Sequence, residues 1–238
     1  MNMFSIIIPT YNEADQIVQT ISKTHAANRT NEAEIIVVDG GSSDNTKALA
    51  KESGAIVIAS EQQGRAAQMN KGAAIAKGEI LYFLHADSIP PDNFTTQILD
   101  AYHRGAKSGC FRLAFDYNHW FLRANAWFTK FNLNAVRFGD QSLFVTKEVF
   151  QQTGGFREDL WVMEDQEIIH RLKKHGKFAV LNDVVITSAR KYLDNGIYRM
   201  QGLFFRIWAL YYLGYPQERL IGLHRKLIRQ RDKLSGHD

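Results

Sequence analysis

Residues 81–91 read LYFLHADSIPP, an apolar run that ends abruptly in His85, Asp87 and a proline pair. A stretch such as ILYFL suits a strand buried in a sheet, and a carboxylate at its end is costly unless something meets it. The same design recurs upstream. FSIIIPTY (4–11) and EIIVVDGG (34–41) are compact apolar runs with polar residues at their ends, and AIVIAS (55–60) reads as a further strand. Between these runs, Ala14, Ile17, Val18 and Ile21 recur at helical spacing behind Asn12 as a cap. Ser43 or Asp44 can cap a short helix that ends near Gly54, and residues 65–77 read as a helix closed by Gly78. Continuously apolar strands alternating with helices imply an α/β fold, with a mostly parallel central sheet covered on both faces. Sites on such sheets lie beyond the carboxyl ends of strands, so residues 9–13, 39–43 and 85–87 are expected along one rim.

The second half is less regular. SGCFRLAF from Ser108 reads as a strand, HWFLRANAWFTKF from His119 as an aromatic-rich helix or lid, and GDQSLFV from Gly139 as a strand. Residues 163–176 read as a helix with acids in the first turn and bases in the last, the polarity a helix dipole favours. KFAVLND and VVITSAR read as two more strands. From Leu193 the pattern is helical, so the expected organisation is a domain over 1–190 and a helical extension, 191–238, packed on it. The apolar stretch LFFRIWALYYLGY (203–215) is broken by Arg206 and too short to span a membrane.

At 238 residues, 45% hydrophobic and 23% charged, the chain has the composition of one large soluble α/β domain. The single cysteine, Cys110, excludes an internal disulfide framework and cysteine-built metal sites, and suits a reducing cytosol. MNMFSIIIPT runs straight into a strand pattern without the features of a signal peptide, so a cytoplasmic location is expected. The net charge is +4, with six Lys or Arg against three acids from Pro216 onward. Such a tail suits a solvated helix face first, an anionic membrane surface second and nucleic acid last.

Asp87 is placed to hold a hard divalent cation, since Mg²⁺ is commonly bound by one or two carboxylates together with substrate phosphates. A turn-capping aspartate fits the position equally well. His85 can be a second ligand, a donor to a bound molecule, or a satisfied core histidine. Asp39 suits the N–H of a nucleobase or a ribose hydroxyl, or closes its turn, and the glycines that follow, Gly41 among them, let backbone approach a ligand. Neither G-x-G-x-x-G nor a Walker lysine loop is present. Arg65, at a helix start behind Gly64, can meet diphosphate oxygens or stand solvated.

Taken in order, IIIPTYNEA, IIVVDGGSSDNT, QGRAAQMNKGAAIAKGEILYFLHAD, GGF and MED resemble the family 2 glycosyltransferases with the GT-A (nucleotide-diphospho-sugar transferase) fold, from about Phe4 to Ile186. The LHAD and GDQSLF segments look like a bacterial subgroup of that family. The resemblance implies that Pro9, Thr10, Tyr11 and Glu13 hold the nucleoside, that Asp39 reads the base, and that Arg65 lies near the nucleotide. His85-Ala86-Asp87 occupies the place of an Asp-x-Asp motif, with Asp87 coordinating Mg²⁺ or Mn²⁺ on a UDP- or GDP-type sugar donor and His85 departing from the usual residue. Glu164-Asp165 match the acidic pair whose aspartate acts as catalytic base, behind the Gly154-Gly155-Phe156 turn, with Asp140 as the alternative base or an acceptor-binding residue. One base without a nucleophile implies single displacement with inversion.

The aromatic run Trp120, Phe121, Trp127, Phe128, Phe131 can line an acceptor groove, rest on a membrane or pack a core. With the later apolar stretch and the basic tail, it gives peripheral membrane contact and a lipid-linked acceptor some weight. Two rivals are a nucleotide-sugar-binding protein without catalysis and a nucleotidyltransferase. The latter is disfavoured because the first strand is not followed by a Gly-rich loop carrying Arg and Lys.

Overall fold

The computed structural model describes residues 4–28, 33–62, 64–137 and 139–227. Its first half runs β1 (Phe4–Thr10), α1 (Ala14–Ala27), β2 (Ala33–Asp39), α2 (Thr46–Glu52), β3 (Ile56–Ala59), α3 (Arg65–Ile75) and β4 (Ile80–Phe83). The short β5 (Ser88–Ile89), α4 (Phe94–His103), β6 (Ala106–Phe115) and α5 (Trp120–Phe128) follow. Then come β7 (Leu143–Thr146), α6 (Lys147–Thr153), α7 (Glu164–Leu172) and β8 (Lys177–Thr187). Three helices close the described chain: α8 (Arg190–Asn195), α9 (Ile197–Tyr212) and α10 (Gln217–Leu227).

The strands form one sheet in the order β3-β2-β1-β4-β7-β6-β8-β5. The first four are parallel, β7 runs antiparallel between β4 and β6, and β6 and β8 are parallel again. The apolar runs explain this. Alternate residues of a strand face opposite sides, and here Ile6, Ile8, Val37 and Tyr82 enter one core cluster while Ile7, Val38, Leu81 and Phe83 enter the other. Each such side chain, fully buried, contributes about 1.5–3 kcal/mol. A slip of one residue would trade the two cores, which fixes the register of Thr10 beside Asp39 and of Ile7 beside Phe83.

Four local expectations need correction. Asn12 does not cap α1: Glu13 is the flanking residue, and Asn12 adopts φ +53° and accepts a hydrogen bond from the Ser43 N–H instead. Residues 139–141 form a 3-10 turn rather than the start of a strand, so β7 begins only at Leu143. KFAVLND and VVITSAR are one strand, β8, whose pairing with β6 shifts between Cys110 and Arg112, which lie opposite Val180 and Val184. The extra residues bulge there, and the polar Asn182-Asp183 pair that looks like a turn is carried on the bulge. Finally, two helices stop short of their expected ends, α3 at Ile75 by two residues and α7 at Leu172 by four.

The last helices pack on the loop ahead of α7. Met200, Leu203 and Ile207 bury against Val162 and Tyr192, and the Gln217 Oε1 accepts from the Trp161 N–H at 3.2 Å. Phe205, Tyr212 and Leu213 stay exposed. Among the described residues no helix is long and apolar enough to cross a membrane. The basic tail beyond residue 227 lies outside the described residues.

Candidate active site

Three strand ends meet at the rim, and their loops are laced together. The Gly40 N–H donates to the Thr10 carbonyl at 2.9 Å, and the Asn12 N–H donates to the Ser42 Oγ at 2.9 Å. Gln68 of α3 donates from Nε2 to both the Thr10 and Val38 carbonyls at 2.7 Å, pinning the ends of β1 and β2. Pro9 lies inside β1 beside Val38, while Tyr11 projects beyond the strand, half exposed. Asp39 is fully buried. Its Oδ2 accepts from the Gly41 and Ser42 N–H groups at 3.0 and 2.9 Å, which is the turn-closing role, with Gly41 at φ +94°. Its Oδ1 is buried without a partner among the described residues, an acceptor left for a ligand's N–H or hydroxyl.

At the end of β4, His85 and Asp87 diverge. The His85 Nδ1 lies 2.9 Å from the Asp140 Oδ1, so this histidine is satisfied from the 3-10 turn after α5. Burial disfavours its cation, yet the Asp140 hydrogen bond and charge leave the imidazole pKa above its ordinary value. Desolvation pulls Asp140 upward, but the His85 hydrogen bond and charge outweigh it and hold that carboxyl well below the usual range. The Ala86 carbonyl accepts from the Thr20 hydroxyl at 2.6 Å, which anchors the motif on α1. Asp87 has a side chain only 8% exposed, and the Lys191 Nζ stands 3.8 Å away, beyond hydrogen-bond range. Glu13 is held by Arg190 at 2.7 Å; burial and then the Asp87 charge raise its pKa, with Arg190 pulling the other way.

The acidic pair arrives from the far half of the chain. Met163, at φ +70°, turns the backbone into α7, whose first residues are Glu164 and Asp165. The Arg65 Nη2 lies 2.7 Å from the Glu164 Oε1 and 4.0 Å from the Asp165 Oδ2, and Glu164 foremost raises the arginine's pKa. A Cβ placed on Gly139 would stand 2.2 Å from the Asp165 Oδ2 and 2.8 Å from the His85 Cε1. Asp165 and His85 are therefore neighbours across a glycine with no room for a side chain. Among the described residues, positive φ at non-glycine positions falls at Asn12, Asn93, Ser142 and Met163. Three of these flank the rim, where stored strain commonly marks a working site. The Gly154-Gly155-Phe156 turn is structural: Asn70 of α3 bonds both the N–H and the carbonyl of Phe156, whose ring packs on Phe83.

Glu164 is 1% exposed, and burial pushes it up to about 7, with Arg65 opposing and Asp165 reinforcing. A raised carboxyl is protonated in the folded state where the unfolded chain is already ionised, so its stabilisation is full below about pH 4.5 and is lost as pH rises through about 7. Glu164→Gln removes that loss. Its melting temperature is expected to exceed the wild type's at pH 8 by several degrees, on the order of 1–3 kcal/mol, with little gain at pH 5. Parallel melting curves across that range contradict this assignment.

A divalent cation can be tested against these residues. No three His, Cys, Asp or Glu side chains among the described residues gather as a ready-made cage. Asp87, its side chain 8% exposed and without a hydrogen-bonding cation among the described residues, fits instead a metal that arrives with phosphates and takes one protein carboxylate. Sequence reading missed Gln68, Arg190 and Lys191; the adjacent basic pair directly after a strand pattern, SARKY, was the available signal for the last two.

Several comparisons bear on what such a rim belongs to. The model of glycosyl transferase family 2 matches residues 5–161. The glycosyltransferase AglE of Haloferax volcanii is 39% identical over 93 residues, 36% of this chain and 31% of that protein. The undecaprenyl-phosphate 4-deoxy-4-formamido-L-arabinose transferase of Pseudomonas fluorescens is 31% identical over 107 residues, 41% of this chain and 32% of that one. The matches thus span about a third of these relatives. In structure, the mannosyltransferase PcManGT of Pyrobaculum calidifontis, solved with GDP-Man and Mn²⁺, superposes with a TM-score of 0.70 at 18% identity, covering 94% of this chain and 69% of that one. The fold is GT-A-like α/β. With the family model matching well over half its length, the chain belongs to glycosyl transferase family 2.

Proposed function

We propose that the protein transfers a sugar from a UDP- or GDP-type donor to an acceptor hydroxyl, with inversion and with a divalent cation. The observation that carries this reading is the meeting of Asp165 with the His85-Ala86-Asp87 turn around Gly139. It brings a carboxylate suited to accept a proton up to the histidine of the strand end that carries, two residues on, the carboxylate suited to a diphosphate's metal. In this reading the nucleoside sits over Pro9, Thr10, Tyr11 and Gly41, and the free Asp39 oxygen takes the base or ribose. Asp87 holds the cation, Mg²⁺ or Mn²⁺, which when bound neutralises charge on the departing diphosphate. Asp165 accepts the proton of the attacking hydroxyl. Arg65 lies half exposed between Glu164 and the rim, and can extend to the diphosphate as the donor settles. Asp140, committed to His85 and held acidic, is a poor base; its role is to orient that imidazole.

We assign residues 1–190 to the transferase unit and 191–238 to the helical extension, and place the chain in a His-Ala-Asp subgroup of the family. A lipid-linked acceptor and peripheral contact with the inner face of the plasma membrane are supported by the exposed Phe205, Tyr212 and Leu213 and by the lipid phosphate in the name of the Pseudomonas relative. Flotation with anionic vesicles at low salt decides that part: a chain left at the bottom of the gradient has no such contact.

The central test is a thermal-shift titration with UDP and GDP, with and without Mn²⁺. A ligand that binds only the folded state adds about 2.7 kcal/mol of stability at a hundredfold excess over its Kd. One nucleotide is expected to raise the melting temperature, more so with Mn²⁺, and Asp87→Ala is expected to lose the metal-dependent part. No shift with either nucleotide removes the reading. A shift without donor turnover reduces the protein to a binding module.

A further inference from the structure

Beside the rim, the end of β6 and the face of α5 enclose a groove of about 470 Å³, within the usual range for small-molecule sites. Its wall carries three cations, Arg112, Arg123 and Lys130, and one carboxylate, Asp116. That carboxylate is already engaged, its Oδ1 accepting from the Ala189 N–H at 2.7 Å. None of the three cations enters an ion pair among the described residues. Among the described residues the Arg112 side chain donates only to the neutral Asn182 Oδ1, at 2.6 Å, and its Nε is buried without a partner. Lys130 lies 3.5 Å over the ring of Trp127. Trp127 itself is half exposed, as is Tyr117 at the other end of the wall. A surplus of unpaired cations between open aromatic rings attracts an anion attached to something with an apolar face.

The groove is tied to the catalytic rim. The Asp116 N–H donates to the Thr187 carbonyl at 3.1 Å, the next residue's N–H, that of Ser188, donates to the Asp87 carbonyl at 3.0 Å, and Phe115 packs edge-on against Tyr192 at 5.4 Å. The donor's own diphosphate is not the ligand for these cations, because its expected partners stand at the end of β4, not of β6.

We propose that this groove seats the phosphate ester of the acceptor, gripped by Arg112, Arg123 and Lys130 with the attached sugar or glycerol moiety against Trp127. The assignment of this phosphate to the acceptor rests on the transferase reading; binding of a phosphate ester in the groove does not. The phosphate can belong to a soluble sugar phosphate or to a lipid headgroup, and the experiment separates the two.

The full chain is titrated with glucose 6-phosphate and with glucose, and in a second arm mixed with vesicles of phosphatidylglycerol or of phosphatidylcholine. The wild type is expected to prefer the phosphorylated probe of at least one arm. The pair Arg123→Gln/Lys130→Gln is expected to lose that binding by roughly tenfold or more, since each charge-assisted contact is strong. A control pair on α2, Lys47→Gln/Lys51→Gln, removes the same charge elsewhere and is expected to bind as the wild type does. Loss in the soluble arm assigns a sugar phosphate, and loss in the vesicle arm a lipid headgroup. Equal binding by both double variants, or no phosphate preference in either arm, overturns the proposal. The nucleotide thermal shift is read separately. A chain that binds nucleotide but shows no groove-dependent binding keeps the transferase reading and loses this one, and the reverse pattern does the opposite.

Discussion

Asp165→Asn is expected to lower sugar transfer by about 10²–10⁴-fold, the range a positioned general base supplies. The amide keeps the shape that fits against Gly139 but cannot take up a proton, so the nucleoside diphosphate thermal shift is expected to survive. The contrast is Asp140→Asn. Both carboxylates lie near His85, but Asp140 is hydrogen-bonded to it and held acidic, whereas Asp165 stands on the far side of Gly139 from the ring. An acid whose conjugate base is so stabilised gains little by accepting a proton. Asp140→Asn is therefore expected to cost far less in turnover, and to lower the pKa of His85 by weakening the contact that raises it. Turnover by both variants and titration of the His85 imidazole by NMR check the pair of statements. If Asp140→Asn is the silent enzyme and Asp165→Asn the active one, the base has been misassigned.

The strands of this fold were legible because their information is local. An apolar run of six or seven residues is long enough to be buried on both faces, and the polar residues that end it mark the rim without knowledge of any partner. Asp39, His85 and Asp87 could thus be placed together from the sequence. What could not be read depends on residues far apart in the chain. Arg190 closes on Glu13 across most of its length, and nothing near either residue announces the other. The single strand β8 looks like two because its bulge carries Asn and Asp, residues that read as a turn unless the β6 partner is known. The 3-10 turn at 139–141 was hidden for a similar reason. GDQ followed by an apolar run reads as a strand entry, yet Asp140 is drawn out of line by its bond to His85 and Gln141 by its bond to the Arg137 guanidinium.

Gly139 gives the second large effect, and it separates placement from folding. In Gly139→Ala the new methyl would sit 2.2 Å from the Asp165 Oδ2 and 2.8 Å from the His85 Cε1, distances no pair of atoms tolerates. Both obstacles are side chains rather than backbone; the Asp165 carboxylate can turn away, while His85, held by Asp140, yields less, so the protein is expected to fold with a loss of about 1–3 kcal/mol. Transfer is another matter. A displacement near 1 Å of a reacting group can remove about 10²-fold in rate, and here the methyl pushes both the proposed base and its histidine neighbour out of place. Turnover is expected to fall by at least that factor with the nucleotide thermal shift retained. Gly109→Ala supplies the comparison, because its methyl would meet the Ala179 carbonyl oxygen at 2.2 Å and the Phe144 ring at 2.5 Å, deep in the sheet. Backbone cannot swing aside, so that variant is expected to lose its stability rather than its chemistry. Were Gly139→Ala to turn over at the wild-type rate, the carboxylate beside it would not be the group that takes the proton, and the rim would have to be read again from Asp140 outward.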